Sequence, residues 1–274
     1  MTTAMPPSNA VLADFGIPAA DHEELRNLHG GRGLTWRAAD TVLRPSAGDG
    51  ETLWKANVLA HLPHTSAFRT PRPIPSASGA WTVAGWEAWE WLPGHTDETR
   101  VADVLAAAAA FHRAVADLDR PDFLDAARDP WARSDRIAWQ EEDLPPGDTL
   151  RRLADAFRPV AAPAQIIHGD LLGNVMFERG QPPVIIDWAP YWRPVGFADA
   201  IVLADAACWH RLAPADMLRL ADDRADGRQH IIRALAFRIA TFQLLGVWDA
   251  EMEARHAPAA VSYTHLRAHE TRED

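Results

Sequence analysis

Cysteine and lysine are nearly missing from this chain. Cys208 is the only cysteine, which excludes an internal disulfide and fits a reducing compartment. Lys55 is the only lysine, and every other basic side chain is an arginine. Such a bias reflects a GC-rich genome more than a mechanism, yet it leaves one position for any essential lysine. Long apolar runs are missing too. The longest, Val104 to Phe111, is too short and too alanine-rich to span a bilayer. Nor is there a basic excess: the formal charge of -11 argues against a nucleic-acid binder, which needs a basic face. Met1 to Asn9 has neither a basic residue nor an apolar stretch, so no secretory signal is expected at the start. These absences predict a cytoplasmic protein with no membrane or nucleic-acid partner.

What is present is ordinary globular composition, 47% hydrophobic and 24% charged over 274 residues, enough for two lobes or one large domain. Near the start, Ser8 to Phe15 reads as a helix capped by Ser8 and closed by Gly16. Leu34 to Ala38 and Thr41 to Arg44 read as strands, with the glycine-rich Gly30-Gly31-Arg32-Gly33 just ahead of them. A glycine loop between strands lets backbone N–H groups approach phosphate without Cβ interference. Taken alone, it equally describes a plain turn. Glu51 to Leu62 follows as a helix, then strands at Trp81 to Ala84 and Glu87 to Leu92. Tryptophans 81, 86, 89 and 91 suit strand packing better than a pocket lining.

In the second half, Thr99 to Leu118 has one apolar helical face, on which His112 reads as a hydrogen-bonded core histidine. Pro121 to Pro146 reads as irregular and acidic, and such runs are most often solvated surface. Helices are expected at Thr149 to Phe157, Phe197 to Trp209, Pro214 to Asp222 and Gln229 to Trp248.

The richest stretch is His168 to Trp188, HGDLLGNVMFERGQPPVIIDW. Val175 to Phe177 and Val184 to Ile186 flank a Gly-Gln-Pro-Pro turn and read as a hairpin. The loop before it holds Asp170 and Asn174, and its second strand ends on Asp187. Pairing the strands folds Asp187 back beside the loop, so two carboxylates and an amide oxygen converge. Hard oxygen donors of that kind suit Mg²⁺, which takes one or two carboxylates together with substrate phosphates.

HGDLLGN followed by IIDW resembles the signature of the aminoglycoside phosphotransferase and choline kinase families, relatives of the protein kinases. The resemblance implies an α+β, two-lobed protein-kinase-like fold. Residues 1–92 would form a small lobe with an antiparallel sheet and one helix, and 93–260 a larger, mainly helical lobe. It implies an ATP- and Mg²⁺-dependent phosphotransferase acting on a small hydroxyl-bearing substrate. Asp170 would be the catalytic base, His168 the residue bracing its loop, and Asn174 and Asp187 the metal ligands. Asp199 would prop the catalytic loop. Gly30, Gly31 and Gly33 would cover the phosphates, and the backbone of Glu90, Trp91 and Leu92 would meet adenine at the hinge EWLPG.

Two departures from the family pattern stand out. Three residues separate Asp170 from Asn174 where most relatives have four, and Gly173 is expected to let the shorter loop close. Arg44 occupies the position of the strand lysine, and Asn57 or Lys55 that of its helix glutamate, with Glu51 a possible substitute. The resemblance places the acids of 121–146, and Trp188, Tyr191 and Trp192, near an acceptor, where an aromatic wall would suit an organic cation.

A catalytically weak, pseudokinase-like nucleotide-binding protein is the main alternative; a metallohydrolase built on His168, Asp170 and Asp187 is a weaker one. From Val261 the sequence has no helical or strand period and resembles one frame of a sequencing adapter, so 261–274 is expected to be non-native.

Overall fold

The computed structural model describes residues 5–28, 33–46 and 49–270, with side chains omitted from 263 onward. The glycines expected at positions 30 and 31 lie outside the described residues. In chain order the amino-terminal elements are α1 (Asn9–Asp14), β1 (Arg26–Leu28), β2 (Thr35–Ala38), β3 (Thr41–Pro45), α2 (Gly50–His61), β4 (Pro73–Ile74), β5 (Thr82–Val83), β6 (Trp86–Glu90) and β7 (His95–Thr96). There follow α3 (Val101–Ala114), α4 (Phe123–Ala126), α5 (Pro130–Ala138), α6 (Asp148–Ala154), β8 (Gln165–His168), β9 (Val175–Phe177), β10 (Val184–Ile185) and β11 (Pro190–Arg193). The chain ends with α7 (Val195–Trp209), α8 (Pro214–Asp222), α9 (Gly227–Leu244) and α10 (Ala250–Glu270). Among the described residues no helix is long and apolar enough to cross a membrane.

The chain divides into two compact units, one of 1–95 with 176–186 and one of 96–175 with 187–274. The division comes at His95, three residues past the expected boundary, and it assigns the hairpin strands to the first unit. The reason is backbone pairing: Arg69 donates to Pro183 O at 2.8 Å and accepts from Ile185 N–H at 2.8 Å.

The first unit is built on an antiparallel sheet in the order β1-β2-β3-β6-β4, with β5 also on β6. Ser8 Oγ caps α1 by accepting from Val11 N–H, and Val11, Leu12, Phe15 and Ile17 then pack on Ala38, Leu43 and Ala88 of the sheet. Asp49 caps α2 by accepting from Thr52 N–H at 2.9 Å. Strands β10, β9 and β7 form a second small sheet.

The second unit is helical, with α9 at its centre. This helix is buried nearly all round, because α5, α6, α7, α8 and α10 pack on it. A single amphipathic stripe therefore understates how apolar its environment is. The acidic stretch expected to be irregular contains α4 and α5. Asp129 caps α5 by accepting from Trp131 and Ala132 N–H, with Pro130 at the first helical position. Helix α10 runs past Val261 to Glu270 despite the missing period, since backbone hydrogen bonding and helix-tolerant residues need no apolar stripe.

Candidate active site

Strand β8 delivers the HGD sequence. Ile166 and Ile167 are fully buried, and β8 pairs antiparallel with β11, which sets His168 opposite Pro190. His168 is buried completely, and its Nδ1 accepts the N–H of Asp170 at 3.1 Å. A ring nitrogen of His168 thus holds the backbone of the residue expected to be the base. Behind it, His168 N–H donates to His112 Nε2 at 3.0 Å. His112 is the core histidine expected on α3, and burial pushes its imidazole down to about 3. Gly169 has no room for a side chain, because a Cβ there would lie 2.4 Å from the Tyr191 ring.

The short loop closes as a turn. Asn174 N–H donates to Leu171 O at 2.9 Å, and Gly173 has φ of +87° at the third position. Positive φ there is what a type II turn requires, and glycine supplies it without Cβ strain. Asn174 Nδ2 donates to Asp170 O at 2.6 Å and to Asp170 Oδ2 at 3.2 Å. With the amide nitrogen so engaged, Asn174 Oδ1 is the atom with metal-ligand chemistry.

Asp187 follows the β9–β10 hairpin, exposed and with φ of +47°, a left-handed conformation uncommon for a side chain with a Cβ. The next residue, Trp188, is buried and donates from Nε1 to Ile167 O at 3.1 Å. Ala189 O accepts from Gly169 N–H at 2.9 Å. The chain after Asp187 is therefore laid alongside the chain entering Asp170. Among the described residues no group of three or more His, Cys, Asp and Glu side chains forms a metal site.

Two residues of the site were not anticipated. Arg238 on α9 donates from Nη2 to Asp170 Oδ1 at 2.7 Å, and from Nε to Asp205 Oδ1 at 2.8 Å. Burial works to lower the guanidinium, but the Asp205 and Asp170 carboxylates outweigh it and raise it. The signal in the sequence was an arginine within a helix otherwise buried by apolar contacts. Asp199, expected to prop the catalytic loop, instead accepts from Arg224 Nε at 2.8 Å. The α7 carboxylate linked to the loop is Asp205, further along the same helix.

The expected acceptor wall is also revised. Trp188 and Tyr191 are consumed by packing, Trp188 edge-on to Phe111 and Tyr191 edge-on to Phe237. Burial raises the Tyr191 hydroxyl well above its ordinary value. The acids before β8 are largely matched by arginines: Arg193 binds Asp135 and Glu141, Arg133 and Arg136 bind Glu142, and Arg120 binds Asp125. Only the Arg193–Asp135 pair is buried; Asp125 and Glu141 stay exposed, so most of the run is solvated surface laced with ion pairs.

Among the residues expected to meet nucleotide, Arg44 is the cross-strand partner of Glu87 and forms an ion pair with it. Glu51 pairs with Lys55 at 2.8 Å, and Asn57 Oδ1 accepts from Trp81 Nε1. The structure thus pairs Arg44 with a strand glutamate, while Glu51, the possible substitute on the helix, pairs with Lys55. Gly33 has φ of +71°. At the hinge, Glu90 N–H donates to Arg72 O and Trp91 N–H to Asp40 O, both at 2.8 Å. Leu92 is buried, and Arg37 stacks 4.1 Å over Trp91. Trp89 is buried and Trp86 packs on the sheet core, which bears out packing for these two.

An antiparallel sheet with two helices, α1 and α2, where one was expected, followed by a helical unit carrying an Asp–Asn turn, defines a protein-kinase-like α+β fold. Residues 34–191 match the phosphotransferase enzyme family, and the chain belongs to it. Solved structures agree on the fold. An aminoglycoside phosphotransferase from Alicyclobacillus acidocaldarius superposes with a TM-score of 0.54 at 16% identity, covering 97% of this chain and 95% of its own. An amicoumacin kinase, in complex with AMP-PNP and Ca²⁺, gives 0.54 at 13% identity, covering 87% of each chain. An ethanolamine kinase from Plasmodium vivax gives 0.50 at 12% identity, covering 92% of this chain and 85% of its own. A comparison with curated protein sequences gives no match.

Proposed function

We propose that this protein transfers the γ-phosphate of ATP to a hydroxyl group of a small molecule, with Mg²⁺ required. The observation that carries this reading is the Asp170 carboxylate, held on one oxygen by Arg238 and on the other by Asn174. A carboxylate in fixed orientation is what a general base needs in order to accept a hydroxyl proton as the phosphoryl group arrives. Each carboxylate oxygen has two acceptor sites, so Oδ2 retains one for substrate while bound to Asn174.

Asn174 Oδ1 and the exposed Asp187 carboxylate are hard oxygen donors, and they fit a Mg²⁺ ion that also takes phosphate oxygens and water. When bound, the ion supplies charge neutralisation on the β- and γ-phosphates. His168 keeps the loop backbone in place, and Gly173 allows Asn174 to turn back on Asp170. Leu92 N–H is the hinge donor we assign to adenine, since the N–H groups of Glu90 and Trp91 are bonded within the first unit. Arg44 and Gly33 remain candidates for the phosphate side. A buried lone cysteine and an ATP requirement both fit the cytoplasm.

A second reading, a nucleotide-binding protein of little catalytic power, is favoured by the engagement of Arg44 with Glu87 and of Glu51 with Lys55. One experiment decides between them. Mg²⁺-dependent ATP binding is measured beside ADP release over a panel of aminoglycosides, amino alcohols and sugars. We expect both signals, and expect Asp187→Ala to lose metal-dependent binding. A protein that binds Mg-ATP yet releases no ADP with any acceptor carries the second reading.

A further inference from the structure

Arg238 sits on the buried central helix of its unit, with only 8% of its surface exposed. An arginine is costly there unless its donors are matched. Its Nε and Nη2 engage Asp205, which is itself 8% exposed, and the same Nη2 reaches forward to Asp170 Oδ1. Asp170 is different in kind: nearly half its side chain remains open to solvent. The guanidinium thus joins one carboxylate shut inside the protein to one that faces outward.

A purely structural pair would end at Asp205. Another buried arginine on the same helix, Arg233, shows what that looks like. Its guanidinium donates to Ala138 O and Arg158 O and lies over Trp139 and Phe157, all structural partners. Arg238 has the catalytic-loop carboxylate as a partner, and the planar fork lets a single cation hold two carboxylates in set directions.

We infer that Arg238, anchored by Asp205, is the positioning residue for Asp170, fixing the carboxylate rotation so that Oδ2 points to the acceptor hydroxyl. This rests on the phosphotransfer reading above. Arg238 bonds Oδ1 while Asn174 bonds Oδ2, so neither oxygen can swing away without losing a charge-assisted or amide hydrogen bond. Loss of the clamp would leave the nucleotide side untouched and let the base rotate among orientations of which few are productive. Displacement of a catalytic group by about 1 Å typically costs on the order of 10²-fold in rate.

The test uses the full chain and ADP release from Mg-ATP, with water as acceptor and with the best acceptor of the panel. Arg238→Met alone would strand Asp205 in the interior, so the informative variants are the double change Arg238→Met with Asp205→Leu, and Arg238→Lys. Arg233→Met is the control for losing a buried arginine from the same helix. The double variant is expected to fold, to keep its KM for ATP within about twofold, and to lose about 10- to 100-fold in kcat. Arg238→Lys, which keeps the charge but lacks the fork, should recover part of that loss, and Arg233→Met should keep kcat.

A double variant turning over at the wild-type kcat overturns the inference. So does a loss of melting temperature in both Arg238 variants with kcat unchanged. A variant set in which kcat and ATP affinity fall together also assigns the pair a structural role only. A wild-type protein that releases no ADP under any condition fails the phosphotransfer reading itself, and the inference with it.

Discussion

Arginine does opposite things in the two units. In the second, Arg238 reaches from the interior to an outward-facing carboxylate, and Arg193 on β11 holds Asp135 and Glu141 of the acidic stretch. In the first, Arg44 stands where a kinase lysine would be expected to meet nucleotide phosphates, and it is bound across the sheet to buried Glu87. The unit that carries Asp170 therefore has its charges already paired. The unit that carries Arg44 has its strand arginine engaged with the protein. A chain with one lysine must use guanidinium groups for both tasks, and their several donors in a rigid fork favour bridging over the freely pivoting contact of an ammonium.

Removing the base should separate the two units most sharply. Asp170→Ala is expected to lower kcat by about 10²–10⁴-fold while Mg-ATP binding persists, because the role proposed for the residue is on the acceptor. Isothermal titration with a non-hydrolysable nucleotide, beside ADP release, measures both. Equal turnover in the variant would remove Asp170 from the chemistry altogether.

Next in size is Gly169→Ala. A Cβ at this position meets two carbons of the Tyr191 ring at 2.4 and 2.5 Å, and that ring is packed against Phe237. Overpacking of this kind typically costs about 1–3 kcal/mol, and because Tyr191 is only half-buried the expected loss lies near the middle of that range. Urea unfolding followed by tryptophan fluorescence reads it directly. A loss below a few tenths of a kcal/mol would mean that the loop, not the core, absorbs the change.

The hairpin, the order of Asp170, Asn174 and Asp187, the glycine in the tight turn and the core role of His112 were all legible in the sequence. Each is a local pattern: alternating apolar runs, a short loop that only glycine can close, a histidine on an apolar face. Arg238 and Asp205 were not legible, because their meaning comes from two helices meeting far along the chain. The same limit explains Asp199, whose spacing from Asp187 suggested the loop but whose place on α7 directs it to Arg224. Helix α5 was hidden by its charges, since Asp135 looks like surface until Arg193 on β11 is seen beside it. Tryptophan-rich β6 was legible as a strand, and its pairing with β3 then decided the partner of Arg44.

That pairing can be broken from the first unit. Arg44→Met removes a guanidinium from buried Glu87, and stranding a carboxylate usually costs about 3–5 kcal/mol. Arg44 is itself partly exposed, so screening reduces the expected loss to about 2 kcal/mol. Adding Glu87→Leu should restore most of it. If ATP affinity also returns in the double variant, the arginine serves the sheet alone. If stability returns while the KM for ATP stays several-fold high, Arg44 serves the nucleotide as well.

The smallest expected effect sharpens the contrast from the second unit, where buried histidines are concentrated on the helices. His230 packs against Gly196 and Trp139, its two ring nitrogens have no hydrogen-bond partner among the described residues, and burial pushes its imidazole down to about 4. The unfolded chain titrates near the ordinary value of 6.5. Between pH 6.5 and 4 the unfolded state therefore binds the extra proton, and stability is lost as pH falls through that window. His230→Leu removes one such proton without breaking a hydrogen bond. The difference in unfolding free energy between pH 7 and pH 5 should shrink by about 1–2 kcal/mol relative to wild type. His112 and His256, also lowered by burial, leave part of the acid dependence in place. An unchanged pH dependence in the variant would show that His230 gains its proton while the helices are still packed.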